Sequence, residues 1–194
     1  MSKQLLDRRA ATAALLQDRG DLLVVTGLGS PSYDAMAAGD SDLNYYLWAA
    51  MGSAATVGFG LAMTQRDRPV LVLTGDGEML MGLGALASIG QKLPPNLTIA
   101  VLDNGHYGET GMQKSHTGNG LELARFAEAA NFPWTRVIED MDGVADLRAR
   151  IHDKAGTSFA ALKIAADELP RALPPRDAVH VRNRFRAALG HSTI

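Results

Sequence analysis

Two short and almost wholly apolar runs, at residues 70–74 and 97–102, bracket a longer mixed segment, and this triplet sets the frame for the chain. Runs of Val, Ile and Leu this short, without alternation, suit strands buried on both faces. The intervening segment, residues 78–93, has the length of a crossover helix, which predicts a right-handed βαβ unit. The same rhythm recurs on either side. Leu6, Ala10, Ala13 and Leu16 fall at helical spacing within residues 3–19, and Gly20 offers a stop. Residues 22–26 read as a first buried strand. Ala54, Ala55, Gly58, Gly60 and Ala62 suggest a helix packed closely on a neighbour, despite the cost of internal glycines. Residues 32–47 show little beyond a turn at Gly39 and Asp40. Further on, residues 121–130 are amphipathic, 134–138 and 158–164 read as strands, and 144–155 as a helix between them. Alternation of this kind, with about five parallel strands, predicts a doubly wound α/β fold: a mainly parallel sheet with helices on both faces. From Glu168 the texture changes, as Pro170, Pro174 and Pro175 make a linker before a helix at 177–189. The expectation is one domain over residues 1–167, with 168–194 as its appendage.

The chemistry gathers at predicted strand ends. Gly75-Asp76-Gly77 follows the strand at 70–74, and Asn104 ends the strand at 97–102, 28 positions after Asp76. Open α/β sheets bind ligands at the carboxyl ends of their strands. Two oxygen side chains there suit a hard divalent cation. Gly75 and Gly77 permit a tight turn and close approach to a ligand, and the helix that follows offers unpaired N–H groups to an anion. Metal and helix terminus together describe a diphosphate site, whereas the Gly-Asp-Gly triplet by itself suits an ordinary strand-to-helix turn with an Asp cap. A second glycine turn, Gly27-Leu28-Gly29-Ser30-Pro31, leaves the strand at 22–26. It suits either a second diphosphate contact, through backbone N–H groups and the Ser30 hydroxyl, or a plain Ser-Pro loop. Residues 105–120 hold five glycines, two histidines and a lysine, a long connection of the kind that forms lids or mobile segments.

Gly-Asp-Gly, a spacer of just under thirty residues and a final Asn resemble the signature of thiamine diphosphate (ThDP) enzymes, over roughly residues 20–165. Within that family, GDGEMLMGLGALASIG and LDNGHYGETGMQ are most similar to the small β subunits of sulfopyruvate decarboxylase and the equivalent part of phosphonopyruvate decarboxylase. The family often ends the motif in Asn-Asn, where this chain has Asp103-Asn104. The resemblance implies a pyrophosphate-binding (PP) domain in which Asp76, Asn104 and the backbone carbonyl of His106 hold Mg2+. It implies that Gly27, Gly29, Ser30, Gly75, Gly77, Glu78 and Tyr107 lie along the cofactor. Met51 takes the place of the apolar side chain that bends the cofactor, and the Ala49 carbonyl that of the acceptor for its amino group; the other reading of Met51 is a core methionine. His106 and His116 are candidate catalytic groups, and Lys114 and His116 candidate contacts to an anionic substrate tail. The glutamate that activates the cofactor belongs to the family's pyrimidine-binding (PYR) half. Glu78, Glu109, Glu122 and Glu128 stand in the wrong contexts for it, so a separate PYR-domain (α) subunit is expected.

The implied reaction is decarboxylation of a small 2-oxo acid, in a hetero-oligomer with at least two copies of each chain. The alternatives are an acetolactate-synthase-like carboligase subunit, a 2-oxoacid oxidoreductase β subunit, or a non-catalytic ThDP-binding subunit. Composition narrows the rest. With 46% hydrophobic and 21% charged residues among 194, the chain has the material for a substantial core. A formal charge of −2 gives no reason to expect nucleic acid, and the Arg-rich stretch 171–186 suits a solvated helix face or a subunit contact. Absence of cysteine rules out disulfides, iron–sulfur clusters and thiolate zinc within this sequence. The first twenty residues lack the apolar centre of a signal peptide, and no stretch approaches eighteen apolar residues, so a cytoplasmic protein without membrane contact is expected.

Overall fold

The apolar run at residues 70–74 becomes β3 (Val70–Gly75), and its neighbour becomes β4 (Leu97–Asp103), paired in parallel from Val70 opposite Leu97 to Gly75 opposite Leu102. The computed structural model describes residues 5–192. Around this pair the sheet adds β1 (Leu23–Thr26) and β2 (Asn44–Tyr46) on one side, and β8 (Ser158–Lys163) and β7 (Trp134–Ile138) on the other. The order is β2-β1-β3-β4-β8-β7, and all five pairings are parallel. That is six strands rather than about five. The extra one, β2, is a three-residue edge strand whose Asn-Tyr-Tyr composition gives no apolar run to read.

Side chains alternate between two cores, as period-2 geometry requires. Leu23, Val25, Val70, Val72, Leu97, Ile99 and Phe159 point to one face, and Val24, Leu71, Leu73, Ala100, Ala160 and Leu162 to the other. The first face is covered by α3 (Ala54–Thr64), α5 (Ala85–Lys92) and α6 (Leu123–Ala129). The second is covered by α1 (Arg8–Leu16), α2 (Ser30–Ala37) and α7 (Met141–Asp153), with α1 lying against both of the others. Asp7 and Asp140 cap α1 and α7, accepting from Ala10 N at 2.7 Å and Gly143 N at 2.9 Å. The first two positions of the helix expected from residue 3 lie outside the described residues.

The crossover between β3 and β4 is not one helix over 78–93. It is α4 (Asp76–Met81) and then α5, broken at residues 82–84. Gly82 sits against the backbone of Gly52, and a Cβ there would overlap the Gly52 carbonyl oxygen, so the chain turns where two backbones meet. The glycine-rich connection after Asn104 carries short elements of its own: β5 (His106–Tyr107) pairs antiparallel with β6 (Gln113–Lys114), and short 3-10 turns occupy Gly108–Thr110 and Thr117–Asn119.

Residues 165–177 run without regular structure to α8 (Ala178–Ala188). They are tied down on the way: the Arg9 guanidinium donates to the Pro170 carbonyl, and Trp48 Nε1 donates to the Pro175 carbonyl at 2.6 Å. In α8, Phe185 stands edge-on to Tyr45 at 5.4 Å, and Arg184 makes paired bonds to Asp40 at 2.7 and 2.9 Å. Among the described residues no helix is long and apolar enough to cross a membrane.

Candidate functional site

Strand order locates the site before any side chain does. From β1 the chain moves outward to β2, then returns across β1 to β3, so the winding reverses between β1 and β3. Parallel sheets open a crevice at such a reversal, beyond the carboxyl ends of the strands. A concave cleft lies there, at the kind of place where small-molecule sites form. Its walls include Ser30 from the loop after β1, Gly75, Asp76, Gly77 and Glu78 from the start of α4, and Asn104, His106 and Tyr107 beyond β4. Met51, Leu28 and Glu109 complete the mouth.

Each wall has a local cause. Gly29 adopts φ +80 at the start of α2, a backbone that L side chains avoid, and a Cβ there would also press on the Glu109 carboxyl at 2.8 Å. Neither α2 nor α4 has a side-chain cap, so both N-termini present backbone rather than side chain. Gly77 lies under the Tyr107 ring, where a Cβ would meet ring carbons at 2.5 and 2.6 Å. Met51 stands on a strained turn: Ala50 has φ +58 and Gly52 φ +91, and the Ser53 amide and hydroxyl both close on the Ala50 carbonyl, at 3.1 and 2.6 Å. The strain holds a large apolar side chain 39% exposed in the cleft wall, which is not the environment of a core methionine. Ala49 is exposed and is not in that wall.

Asp76 is 2% exposed. Its Oδ2 accepts from the Ser115 hydroxyl and from Thr117 Oγ1 at 2.9 Å. Burial pushes its carboxyl above the usual range; the Ser115 bond pulls it back, and the charge of nearby Asp103 pushes it up again. Asn104 Oδ1 accepts the His106 amide at 2.9 Å, which leaves that oxygen its second lone pair. The His106 ring turns back, Nδ1 lying 2.7 Å from the Asn104 carbonyl. Glu78 is also buried. Its oxygens take the Thr74 hydroxyl and the Ala54 amide (3.3 Å), and burial raises its pKa against those bonds. Among the described residues no three His, Cys, Asp or Glu side chains cluster as a metal site.

Sequence patterns thus bring together Ser30, Met51, Gly75, Asp76, Gly77, Glu78, Asn104, His106 and Tyr107. Gly27 and Gly29 stand just behind this wall, Gly27 against the Glu78 carboxyl. Lys114 and His116 are exposed on the connection after Asn104, and the fold does not bring them to the cleft. The sequence reading did not reach Ser115 and Thr117. Their signal is an alternation: both are buried while His116 between them is exposed, so the two hydroxyls share one side.

Residues 29–170 match the family model for the thiamine pyrophosphate enzyme, C-terminal TPP binding domain. Sulfopyruvate decarboxylase subunit beta of Methanocaldococcus jannaschii is 40% identical over 106 residues, covering 55% of this chain and 56% of that one. Phosphonopyruvate decarboxylase of Streptomyces viridochromogenes is 36% identical over 172 residues, covering 86% of this chain and 42% of that one. The chain therefore spans about half the length of these two relatives. Benzoylformate decarboxylase from Polynucleobacter necessarius superposes with a TM-score of 0.71 at 18% identity, over 85% of this chain and 34% of that one, a likeness of fold. By its strand order, its cleft and the match over residues 29–170, the chain belongs to the thiamine pyrophosphate enzymes, within which it corresponds to the C-terminal TPP binding domain.

Proposed function

We propose that this chain is the PP subunit of a ThDP- and Mg2+-dependent 2-oxo acid decarboxylase of the sulfopyruvate/phosphonopyruvate decarboxylase kind. In this reading a separate PYR-domain subunit completes the site. The observation that carries it is the cleft at the β1/β3 reversal, which gathers Asp76, Asn104, His106, Ser30 and Met51.

The residues fit the group. Asp76, Asn104 and the His106 backbone carbonyl would each offer oxygen, as a hard cation prefers. Gly75 has open space where a Cβ would project, and two uncapped helix starts face the cleft from either side of the reversal. An exposed methionine on a strained turn gives an apolar support opposite them. Asp76, Asn104 and the His106 carbonyl would hold Mg2+, while Ser30 and the backbone of Gly29, Gly75 and Gly77 would hold the diphosphate. Tyr107 and Glu78 would line its course, and Met51 would support the ring system. When bound, ThDP supplies an electron sink for the pair released as a 2-oxo acid loses CO₂.

This chain's own carboxyls are otherwise engaged. Glu78 is held by Thr74 and Ala54, Glu109 pairs with Arg171 at 3.3 Å, and Glu122 and Glu128 are exposed outside the cleft. That supports an activating glutamate from the PYR chain, hence a hetero-oligomer with at least two copies of each. The formal charge of −2 gives no reason to expect nucleic-acid contact, and the enzyme is proposed to be cytoplasmic. The test is calorimetric titration with ThDP and Mg2+, and CO₂ release from 2-oxo acids, for the chain alone and with its co-expressed PYR partner. Expected are cofactor binding that depends on Asp76 and turnover only with the partner. Full decarboxylation by this chain alone refutes the split site, and absence of ThDP binding in both preparations refutes the assignment.

A further inference from the structure

The ligand-bearing strand ends are joined underneath by a network that the proposed reaction does not itself require. Ser115 is fully buried and Thr117 nearly so, in a connection otherwise rich in exposed glycines. Both hydroxyls meet the same oxygen of Asp76, Oδ2. They lie 2.8 Å from each other, and Thr117 Oγ1 also stands 2.7 Å from Asp103 Oδ1. Asp103 in turn accepts the Gly105 amide at 3.1 Å and pairs through Oδ2 with Lys163 at 2.5 Å. One chain of polar contacts therefore runs from β8 through the end of β4 to the start of α4.

The backbone is built to deliver these two side chains. The Ser115 amide donates to the Gly105 carbonyl at 2.8 Å. Gly118 lies so close to Gly105 that a Cβ on Gly118 would be 3.2 Å from the Gly105 carbonyl carbon. Asn119 Nδ2 donates to the Ser115 carbonyl at 3.2 Å. Residues 115–119 are thus folded back against Asp76, while residues 106–110 of the same connection line the cleft.

We infer that Ser115 and Thr117 are positioning residues for the metal. By holding Oδ2 they fix the rotation of the Asp76 carboxylate, so that Oδ1, which neither hydroxyl uses, is the oxygen offered to the cation. The Asp103–Lys163 pair keeps a second buried carboxylate next to Asp76 without leaving it unpaired. Groups that orient a metal ligand from behind are worth about 10–100-fold in metal affinity when removed. This inference rests on the ThDP/Mg2+ reading of the cleft and adds to it two residues that do not touch the cation.

The experiment uses Mn2+ as the probe, since it shares the preference of Mg2+ for oxygen ligands. Free Mn2+ is counted by electron paramagnetic resonance while it is titrated into the full chain, complexed with its PYR partner, at saturating ThDP. Wild type is expected to bind Mn2+ in a ThDP-dependent way; if it does not, the reading of the cleft fails and this inference with it. Given wild-type binding, Ser115→Ala and Thr117→Val are each expected to weaken Mn2+ by about 10–100-fold. Thr117→Ser, which keeps the hydroxyl, should bind as wild type, and kcat at saturating metal should stay close to wild type in all three. Asn119→Ala separates this from mere loosening: it removes a loop bond but neither hydroxyl, and its Mn2+ affinity should not change. Wild-type affinity in folded Ser115→Ala overturns the inference, as does an equal loss in Asn119→Ala. Should Thr117→Val fail to fold, Ser115→Ala, which deletes a single oxygen, decides the matter.

Discussion

Gly27 offers the sharpest test of how the loop after β1 is locked to α4. Its backbone lies outside the left-handed region, so alanine is not strained there; space is what fails. A Cβ on Gly27 would overlap Glu78 Oε2, stand 2.6 Å from Glu78 Cδ and lie 2.9 Å from Thr74 Oγ1. The carboxyl cannot swing away cheaply, because it is 4% exposed and holds the Thr74 hydroxyl on one oxygen and the Ala54 amide on the other. Overpacking costs about 1–3 kcal/mol and an orphaned buried donor about 1–3 more, so Gly27→Ala is expected to destabilise by about 2–6 kcal/mol. A domain has only about 5–15 kcal/mol in total. Glu78→Ala is also costly alone, since it strands the same donors, but it empties the volume that the new methyl needs. The double variant should therefore lose clearly less than the sum of the two single losses, with a coupling of about 1–3 kcal/mol. Urea unfolding followed by tryptophan fluorescence gives all four corners of the cycle. Losses that add to within about 0.5 kcal/mol would show that Gly27 and Glu78 do not share this space.

Met51→Ala should leave stability within about 1 kcal/mol of wild type while weakening ThDP binding, because the side chain is a cleft wall and not core. A loss of about 2–5 kcal/mol in urea would instead mark a packed core methionine. Gly82→Ala drives a methyl into the Gly52 backbone, 2.7 Å from its carbonyl carbon, and so should shift the turn that carries Met51. The expected result is weaker ThDP binding by calorimetry with about 1–3 kcal/mol of destabilisation; unchanged cofactor affinity would count against that coupling. For pH, burial alone would raise Asp40, but bonds from Arg184 and Tyr46 hold it below the usual carboxylate range. Such a group adds stability above its unfolded pKa, and that stability is lost as pH falls through the folded value. Arg184→Gln should therefore move the acid-unfolding midpoint, followed by far-UV circular dichroism, to higher pH, and an unmoved midpoint would deny the Asp40 pair its role.

What the sequence discloses and what it hides divide along a physical line. Asp76 and Asn104 are legible because each stands at the end of an apolar run, and parallel pairing puts strand ends side by side whatever the details. The break at residues 82–84 is not legible, because its cause is the backbone of Gly52, thirty positions earlier. The β2 strand escapes because three half-polar residues on an edge need no apolar signature. Ser115 and Thr117 escape because the glycines around them mask a two-residue alternation.

Asp103 shows why the last of these matter most. As a sequence feature it is only a departure from Asn-Asn, an extra acid next to a proposed cation site. Register changes its meaning: β4 and β8 align Asp103 opposite Lys163, and the two side chains meet at 2.5 Å. A charge that would otherwise be buried alone is thereby paired, at far lower cost than an unpaired ion. Its remaining oxygen is then available to Thr117, and through Thr117 to Asp76. Substituting Lys163 would disturb the strand end by stranding Asp103, which is the buried member of the pair, its side chain 2% exposed against 26% for Lys163. The acid is thus tolerated because a residue sixty positions away stands opposite it, a relation that pairing register supplies and local pattern cannot.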